Sequence, residues 1–576
     1  MSRYRAVAGI LALCALLALG GCTDVPTSSS PQVIKTLGLV QPQQPAVSTP
    51  QPGADPRSIV NGFLMNNASA DQHHLAARAF LTPEAKNRWS DAGPTTIVDR
   101  VQIGNVVDNT VTVRGNAIGT IDQSGAYTPS LQGDGTGTGS SPVTETVELK
   151  LVDKQWRIDR LQNGLLISAS QFAQYYTQRL IYFYDQTEQQ LVPEVRYSPL
   201  TDPDLLATWL MTQLVSQPNP ALSTNLPSVP SVSQIKVNLG AALIVDLPGA
   251  NQLDKATKDR MAAQVALTLD QAATSLTMQI TDGGQPVKIP QLGDSTFTRA
   301  QFSYQLSPAN PSPTLFFVND GGIYDGSGKP LSGAIGTSTY ALRSAALASS
   351  ANTSHMLVAG TSGSATDARL LVGQSGGTLR ETAVHGALSR PAWAPEADEV
   401  WVGNGATLVR VSANGTAQAV PITATSGTVR GKILAVRFSP EGSRVGLVIR
   451  SSQSESQIWI GSVVRSPDSV RVVGLYAISP AGVAITDVGW NDQTKLFAIG
   501  REVSTGDPSI YEVQCDGSHW DPRGIGNLPQ APDSITVAEN VVPAVSAGET
   551  VWVQRAGTWV SPDAGTTSGT NPVYLE

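Results

Sequence analysis

The spacing of hydrophobic residues changes along the chain, and each change predicts a different kind of structure. An apolar run at residues 6–19 is followed by Pro-rich sequence. From residue 55 the apolar positions recur first at helical spacing and later at every second residue, which predicts helices and then strands. From residue 314 short alternating segments repeat at long, fairly regular intervals. The pattern predicts a multidomain protein in which two α+β regions precede an all-β region.

The first α+β region, residues 55–170, begins with three predicted helices. Asp55 is suited to cap a helix that starts at Pro56, and the apolar stripe of this helix is formed by Ile59, Val60, Phe63 and Leu64. Asp71 is expected to cap a second helix, whose inward residues are Leu75, Ala76, Ala79 and Phe80. Thr82 is expected to start a third, short helix. The adjacent His73 and His74 are predicted to be exposed residues of the second helix.

Alternation of apolar and polar residues follows these helices and predicts antiparallel strands. The alternating apolar positions are Val111 and Val113, then Val147, Leu149 and Leu151, then Trp156 and Ile158. Asp153 and Lys154 are expected to form a hairpin turn, and the Gly/Ser run at 133–141 a loop between strands. Helices followed by antiparallel strands resemble the small, cone-shaped NTF2-like fold.

The second α+β region, residues 171–300, starts with two predicted strands at 180–184 and 191–197. A helix opens at Thr201 or Asp202 and has one apolar face, formed by Leu206, Trp209, Leu210 and Leu214. A later helix carries apolar residues at Met261, Val265, Leu269 and Ala272. The aromatic first strand, the lead Arg196-Tyr197-Ser198-Pro199-Leu200 and the second helix–strand pair resemble the GerMN domain of sporulation and envelope lipoproteins.

The all-β region, residues 314–576, carries a repeated signature of an aromatic residue followed by a small residue and proline. Trp393 begins one copy and Phe438 begins another 45 residues later. Trp490 begins a third copy after 52 more, in which Asn491 and Asp492 follow the aromatic residue. Weaker copies lie around Leu347 and Val551. Short strands at this period predict a β-propeller of about five or six blades. The sequence leaves the closure of the ring open.

Composition narrows the class of protein. The chain has 576 residues, of which 41% are hydrophobic and only 15% charged, so it has enough apolar material for several folded cores. Its formal charge of −8 gives no electrostatic footprint for nucleic acid. The cysteines Cys14, Cys22 and Cys515 cannot form a disulfide framework, and the five histidines are scattered. We therefore predict neither a metal nor a cofactor.

The N-terminus predicts export and lipidation. Arg3 and Arg5 precede the apolar run, which at 14 residues is short for a membrane span. The run leads into Leu19-Gly20-Gly21-Cys22, which resembles a bacterial lipobox. This resemblance implies cleavage between Gly21 and Cys22, with S-diacylglycerol and N-acyl chains on Cys22. Residues 1–21 would then be the signal peptide, and Cys515 would be the thiol that remains in the mature chain.

Two other interpretations of the N-terminus stay open, an ordinary secretory signal and an uncleaved signal anchor. Residues 22–54 are the lipidated cysteine and a Pro-rich tether, which at about 3.1 Å per residue spans roughly 100 Å when extended. The apolar segment 33–40 within it either belongs to the tether or docks on the folded part as a strand.

The motifs that resemble catalytic or ligand-binding sites lack the partners that such chemistry needs. Residues 373–377 match the G-x-S-x-G pattern of a nucleophile elbow, but they lie between predicted strands and favour a hairpin turn. Residues 133–139 are Gly-rich like a phosphate loop, yet they lack the lysine that ends the P-loop motif. Residues 319–322 and Asp325-Gly326 lack a complete calcium loop and predict turns. We predict no catalytic, cofactor-binding or metal-binding residues, and therefore no enzyme.

The order of lipobox, tether, helix-then-strand region, GerMN-like region and propeller is similar to that of the LpqB lipoproteins of actinobacteria. The resemblance implies a lipid-anchored protein on the outer face of the cytoplasmic membrane. It further implies binding to the extracytoplasmic domain of a sensor histidine kinase like MtrB, and modulation of the MtrAB two-component system that controls cell-wall homeostasis and division. Only Cys22 carries a defined chemical role over from the family. The alternatives are a lipoprotein that binds cell-wall fragments without kinase contact, and an envelope hydrolase.

Overall fold

A computed structural model describes residues 49–70, 73–130, 141–185, 188, 190–216, 236–272, 276–306, 314–349, 354–395, 398–412, 414–425, 428–452, 455–466, 469–480, 482–562 and 568–575. The predictions for Cys22, for Asp71, for most of the tether and for the Gly-rich run at 133–139 lie outside these residues. Residues from Val47 to Glu576 form one compact unit.

The first region is a seven-stranded sheet covered by helices. Its helices are α1 (Pro56–Asn66), α2 (Leu75–Arg78), α3 (Pro83–Arg88) and α4 (Ala169–Tyr175). Its strands are β1 (Thr95–Val98), β2 (Gln102–Val107), β3 (Thr110–Ile121), β4 (Tyr127–Pro129), β5 (Ser141–Val152), β6 (Gln155–Arg160) and β7 (Leu165–Ser168). The main path of the sheet is β6-β5-β3-β1-β7. The predicted order of helices before strands is confirmed.

Local signals predicted several elements of this region correctly. The Asp55 carboxylate accepts hydrogen bonds from the amides of Arg57 and Ser58, and Pro56 is the first residue of α1. Thr82 caps α3 through the amide of Ala85. The predicted apolar stripe of α1 is buried, because this face of the helix packs on the sheet.

Three predictions for the same region are wrong. The second helix has only four residues, so Leu75, expected to face inward, is 58% exposed. His74, expected to be an exposed helix residue, precedes α2 in a left-handed conformation and is buried beside Trp89. Leu151 is 54% exposed because it lies near the end of β5, where the alternation of buried residues breaks down.

The second region combines a separate hairpin with a small sheet and two helices. The hairpin consists of β8 (Thr177–Tyr184) and β9 (Leu191–Ser198). The helices are α5 (Pro203–Val215) and α6 (Lys255–Leu269), and the remaining strands are β10 (Lys236–Leu239), β11 (Leu243–Asp246), β12 (Met278–Asp282), β13 (Gln285–Pro286) and β14 (Thr296–Phe297). Asp202 is the N-cap of α5, and the apolar faces predicted for both helices supply much of one core.

The third region is a propeller of six blades, numbered here in chain order. Its strands are β15 (Leu315–Asn319), β16 (Gly322–Asp325), β17 (Leu342–Ala348), β18 (Leu357–Gly363), β19 (Ala368–Gln374), β20 (Arg380–Gly386), β21 (Ala392–Ala394), β22 (Glu399–Asn404), β23 (Thr407–Ser412), β24 (Ala417–Val420), β25 (Ile422–Ala424), β26 (Lys432–Phe438), β27 (Arg444–Arg450), β28 (Ser456–Ser466), β29 (Ser469–Ala477), β30 (Val483–Trp490), β31 (Lys495–Glu502), β32 (Pro508–Gln514), β33 (Asp521–Pro522), β34 (Ser534–Thr536), β35 (Ala544–Ser546), β36 (Val551–Arg555), β37 (Thr558–Val560) and β38 (Thr570–Tyr574).

Blades 2 to 6 begin with β17, β21, β26, β30 and β34, which are their innermost strands. Strand β38, near the C-terminus, pairs with β15 and lies beside β17 and β34, so it is the innermost strand of blade 1 and closes the ring. Phe438 and Trp490 end innermost strands, and Trp393 lies one residue before the end of another, which explains the repeated signature. Val551, predicted to lie in a weaker copy, begins the third strand of blade 6 instead.

Candidate functional site: a buried junction and an open propeller face

Successive strands of a blade run in opposite directions, so the propeller has two distinct faces. We call the face at which innermost strands begin the upper face, and the face at which they end the lower face. Turns from innermost to second strands, such as the one before Arg444, lie on the lower face. Turns from second to third strands, such as Asn404 to Thr407, lie on the upper face.

Strand β9 of the second region is the centre of a buried junction on the lower face. All eight of its residues are buried, although β9 pairs with β8 along one edge only. The Tyr197 amide donates to the carbonyl of Gly125 in the first region, at 2.7 Å. The Gln493 side chain in blade 5 donates to the carbonyl of Leu191 at the other end of the strand. Strand β9 therefore connects the first region to the propeller.

Arg444 holds the same strand from the propeller side. Its side chain is only 2% exposed, and its guanidinium forms an ion pair with Glu441 at 2.8 Å. The remaining donors reach the carbonyl of Gln493 at 2.6 Å and the carbonyl of Pro193 in β9 at 3.4 Å. The cation also lies 5.4 Å from the ring centroid of Trp490. A buried charge is tolerated only when it is paired and hydrogen-bonded, and Arg444 meets both conditions.

An aromatic cluster forms the other half of the junction. Phe172 of α4 packs against both Tyr197 and His519, with ring centroids 5.0 Å from each. The Tyr197 hydroxyl contacts Ser518 and lies 3.2 Å from His519 Nδ1. All three regions therefore meet at Tyr197. Tyr197 belongs to the second region, Phe172 belongs to helix α4 of the first region, and His519 belongs to the propeller.

Asp516 is the buried carboxylate beside this cluster. One of its oxygens accepts hydrogen bonds from the Ser518 amide at 2.9 Å and hydroxyl at 2.6 Å. Its Oδ2 has no hydrogen-bond partner among the residues that the structure describes. Burial raises the pKa of Asp516 to about 6. Burial also raises the pKa of the Tyr197 hydroxyl well above its ordinary value, with Asp516 adding to the effect.

Cys515 is a free thiol within this junction, fully buried beneath Arg444. Burial raises its pKa to about 12, an effect that the nearby guanidinium of Arg444 only partly offsets. The reactive form of cysteine is the thiolate, so this side chain is chemically inert in the folded protein.

The central channel of the propeller is crossed by an ion cluster. Asp487 of blade 5 pairs with Arg390 at 2.6 Å and with Arg437 of blade 4 at 3.3 Å. Arg390, which precedes blade 3, also donates to the carbonyl of Pro572 in β38 at 2.8 Å. The Ile535 amide in blade 6 donates to Asp487 at 3.1 Å. These contacts join the innermost strands across the axis, and they fill the middle of the channel with charge.

A polar cavity of about 670 Å³ opens on the upper face between blades 6, 1 and 2. The turn that contains Asn319 and Asp320 forms one wall, and residues near the starts of three innermost strands, Arg343, Asp533 and Asn571, form the others. Its size lies within the range of small-molecule sites, and its lining supplies carboxylate, amide and guanidinium groups.

The structure places the other motifs as turns. Residues 373–377 connect β19 to β20, Gly376 has a φ of 78°, and the Ser375 hydroxyl accepts from the Met356 amide. The hairpin turn predicted there is confirmed. Asp320 and Gly321 both have positive φ values in the turn between β15 and β16. The described residues contain no group of three or more His, Cys, Asp or Glu side chains arranged to hold a metal ion.

Arg444 and Asp516 were not among the functional residues predicted from the sequence. The only local signal for Arg444 was its position three residues after Glu441 in the turn of a blade, where an ion pair is possible but not specified. Asp516 gave no signal, because its burial depends on residues more than 300 positions away in the chain. Among the described residues, the structure shows no helix of the length and apolarity needed to cross a membrane.

Comparison with known families agrees with this architecture. Residues 49–173 match the family described as the N-terminal domain of lipoprotein LpqB. Residues 180–288 match the Germane family, whose description is sporulation and spore germination. Residues 323–574 match the family described as the lipoprotein LpqB beta-propeller domain. These matches define the class of protein as a lipoprotein with two α+β regions and a propeller.

Similar chains extend over most of this one. It is 28% identical to lipoprotein LpqB of Rhodococcus opacus over 571 residues, which covers 91% of this chain and 90% of the relative. It is 29% identical to lipoprotein LpqB of Mycobacterium tuberculosis over 482 residues, covering 78% and 79% of the two chains. The chain belongs to the LpqB lipoprotein family.

Solved structures similar to this chain include two TolB proteins. A putative TolB from Agrobacterium tumefaciens has a TM-score of 0.30 and 11% identity, covering 45% of this chain and 90% of the other. TolB from Acinetobacter baumannii has a TM-score of 0.31 and 12% identity, covering 46% and 68%.

Proposed function

We propose that this protein is anchored through Cys22 to the outer face of the cytoplasmic membrane. There it binds the extracytoplasmic domain of an MtrB-like sensor histidine kinase and modulates signalling to cell-wall homeostasis and division. Family membership is the observation that carries the proposal. The buried junction supports it, because three regions fastened to one another through β9 present their surfaces to a partner in a fixed arrangement.

Lipid anchoring supports contact with a membrane-bound partner. Two or more acyl chains hold a protein stably at a bilayer, where one chain is marginal. Confinement near the membrane raises the effective concentration of a neighbouring membrane protein, so a modest affinity is enough for binding.

The contact is tested with the soluble mature chain, residues 23–576, and the immobilised extracytoplasmic domain of the kinase. We expect saturable binding by biolayer interferometry and a change in phosphorylation of the response regulator when both proteins share a membrane. Absence of binding in solution, together with absence of a crosslink in intact membranes, would overturn the proposal.

The role of the anchor is tested separately by replacing residues 1–22 with an ordinary cleavable secretory signal. We expect this exported, unlipidated chain to bind the purified kinase domain as before but to lose its crosslink in membranes. Cys22→Ser is the matched chemical test, and we expect the N-terminal peptide to lack acyl mass and cleavage before residue 22. Acylation at another residue of the Cys22→Ser chain would contradict the assignment.

The polar cavity on the upper face favours a second candidate function, binding of cell-wall fragments. Carboxylate and amide groups around about 670 Å³ suit a ligand rich in hydroxyl and amine groups. Purified muropeptides should then raise the melting temperature of the mature chain, and Asn571→Leu should abolish the shift. An unchanged melting temperature at saturating muropeptide would exclude this candidate.

A further inference from the structure

A second cavity of the upper face has a different character. It lies between blades 3 and 4, has a volume of about 450 Å³, and is open to solvent. Leu408, Ile433 and Ile449 form its apolar floor, and half-buried Ile422 and Val429 form part of its walls. This is an open, largely apolar cleft, and apolar clefts of this size bind side chains of partners.

Three cations flank the cleft along the chain, near the start of β26 and the end of β27, and none of them belongs to its lining. Gly431 and Ile449 line it, and the residues next to them in the chain are Arg430, Lys432 and Arg450. Lys432 and Arg450 are direct register partners across β26 and β27. Like charges directly opposite in an antiparallel pair are destabilising, so this arrangement costs free energy in the isolated protein.

None of the three cations is neutralised within the part of the chain that the structure describes. Arg410, Arg437 and Arg444, from the same two blades, form ion pairs with Glu399, Asp487 and Glu441. Arg430, Lys432 and Arg450 form no ion pair with a described residue. The protein has a formal charge of −8, so this group of three cations is a positive patch on a chain that is negative overall.

Gly431 brings these cations together. Its φ of 137° lies in the region that favours glycine, and a Cβ there would collide with the carbonyl oxygen of Arg450. The backbone that carries Arg430 and Lys432 can therefore lie directly against the end of β27. Any other residue at position 431 would push the two segments apart.

We propose that this cleft and its cations bind an acidic, extended peptide segment of a partner protein, with an apolar side chain of the segment seated in the cleft. The cleft supplies the burial of apolar surface, and the three cations supply complementary charge. The lower face is unsuited to this role at blades 4 and 5, because β9 of the same chain already covers it. The inference concerns the chemistry of the bound segment and holds whether or not the partner is a kinase.

The test uses the soluble mature chain, residues 23–576, and three fluorescein-labelled peptides of equal length. One alternates Glu and Leu, one alternates Lys and Leu, and one alternates Glu and Ser. We expect fluorescence anisotropy to detect binding of the Glu/Leu peptide only, and to show weakening as salt is raised. Equal binding of the Lys/Leu peptide would overturn the charge argument, and equal binding of the Glu/Ser peptide would overturn the role of the cleft.

Variants locate the site. Arg450→Glu should weaken binding of the Glu/Leu peptide at least about tenfold, whereas Lys329→Glu, the same charge reversal at an exposed site on blade 1, should leave it unchanged. Ala419→Trp should block the cleft from its exposed wall without entering the core. Circular dichroism melting verifies that each variant is folded. Unchanged binding by Arg450→Glu and by Ala419→Trp would overturn the proposal.

The same variants distinguish a lipid surface from a peptide. Vesicles of phosphatidylglycerol with phosphatidylcholine are compared with vesicles of phosphatidylcholine alone in a flotation assay. We expect no difference between Arg450→Glu and the unmodified chain in this assay. If the residue controls flotation with anionic vesicles but not binding of the Glu/Leu peptide, the peptide proposal is wrong.

Discussion

The two faces of the propeller handle charge in opposite ways. On the lower face, Arg444 is buried and satisfied by Glu441 and by two carbonyl groups, one of which belongs to β9. On the upper face, Lys432 and Arg450 lie opposite each other without a counter-charge among the described residues. The charge of Arg444 on the lower face is thus paired within the chain, whereas the charges of Lys432 and Arg450 on the upper face are not paired with a described residue.

The difference separates structural charges from charges that are available to a partner. Removing one member of a buried ion pair leaves the other unpaired and costs several kcal/mol, whereas exposed pairs contribute little. Substitutions on the lower face should therefore change stability and leave binding of peptides unaffected. Substitutions on the upper face should do the reverse.

The largest effect is expected for Arg444→Met. The buried Glu441 carboxylate would lose its cation, and we expect the free energy of unfolding to fall by about 3–5 kcal/mol. Urea unfolding followed by tryptophan fluorescence measures the loss. The double variant Glu441→Gln with Arg444→Met is the control, and it should recover part of the stability. A loss below about 1 kcal/mol would mean that the junction does not depend on this pair.

Asp516→Asn should raise the free energy of unfolding at neutral pH, whereas Arg444→Met lowers it. The pKa of Asp516 is about 6 in the folded protein against an ordinary value of 3.8, so the folded state binds a proton more tightly than the unfolded state. The contribution of this carboxyl to stability is therefore most favourable below pH 3.8, and it is lost as pH rises through 6. At pH 7.5 the ionised group costs up to about 3 kcal/mol, at 1.36 kcal/mol per pKa unit.

We accordingly expect Asp516→Asn to raise the melting temperature at pH 7.5 and to reduce the gain in stability on acidification from pH 7.5 to 5. Thermal melts across this range measure both effects. Asp507→Asn, an exposed carboxylate in the same blade, is the matched control and should change neither. An Asp516→Asn protein with an unchanged pH profile would show that the carboxyl does not titrate in this window.

Tyr197→Phe should have a smaller effect. The ring and its packing against Phe172 are kept, and only the hydroxyl contacts with Ser518 and His519 are lost. Loss of such a hydrogen bond costs about 1 kcal/mol. Hydrogen exchange at β9 should increase locally, while amides near β38, remote from the junction, serve as the internal reference. Uniform protection in both places would argue against a specific link through Tyr197.

The smallest effect is expected for Lys432→Glu, which places an acid opposite Arg450. Replacing a like-charge pair with an opposite-charge pair across two strands should stabilise the protein by about 0.2–1 kcal/mol, less at high salt. The same change should weaken binding of the Glu/Leu peptide. A substitution that raises stability and lowers binding would sharpen the contrast between the two faces, whereas a loss of stability would mean that Lys432 has a structural partner.

Elements that depend on local signals were predictable from sequence. The caps at Asp55 and Thr82 and the helix that Asp202 begins are each specified by residues within one turn. The blade signature was equally predictable, because each copy combines residues at the end of an innermost strand with the alternating apolar residues of the strand that follows it. Short-range periodicity was enough for these elements.

Features that depend on distant residues were not predictable. Leu75 is an apolar residue at helical spacing, yet it is the first residue of a helix of only four residues, and its side chain stays exposed. The closing strand β38 pairs with β15, and no local pattern in either strand predicts that pairing. The cations of the upper face were visible as residues, but their opposition across two strands follows from register alone.

The sequence by itself determined the order of the regions, the type of most elements and the repeat of the blades, since each depends on patterns within short stretches of the chain. Tertiary structure alone decided that six blades close through β38, that β9 covers the lower face at blades 4 and 5, and that Tyr197 meets His519 from 322 positions away. The physical reason is that burial and pairing of charge are properties of the assembled surfaces. Residues so far apart carry no local pattern that reports their contact.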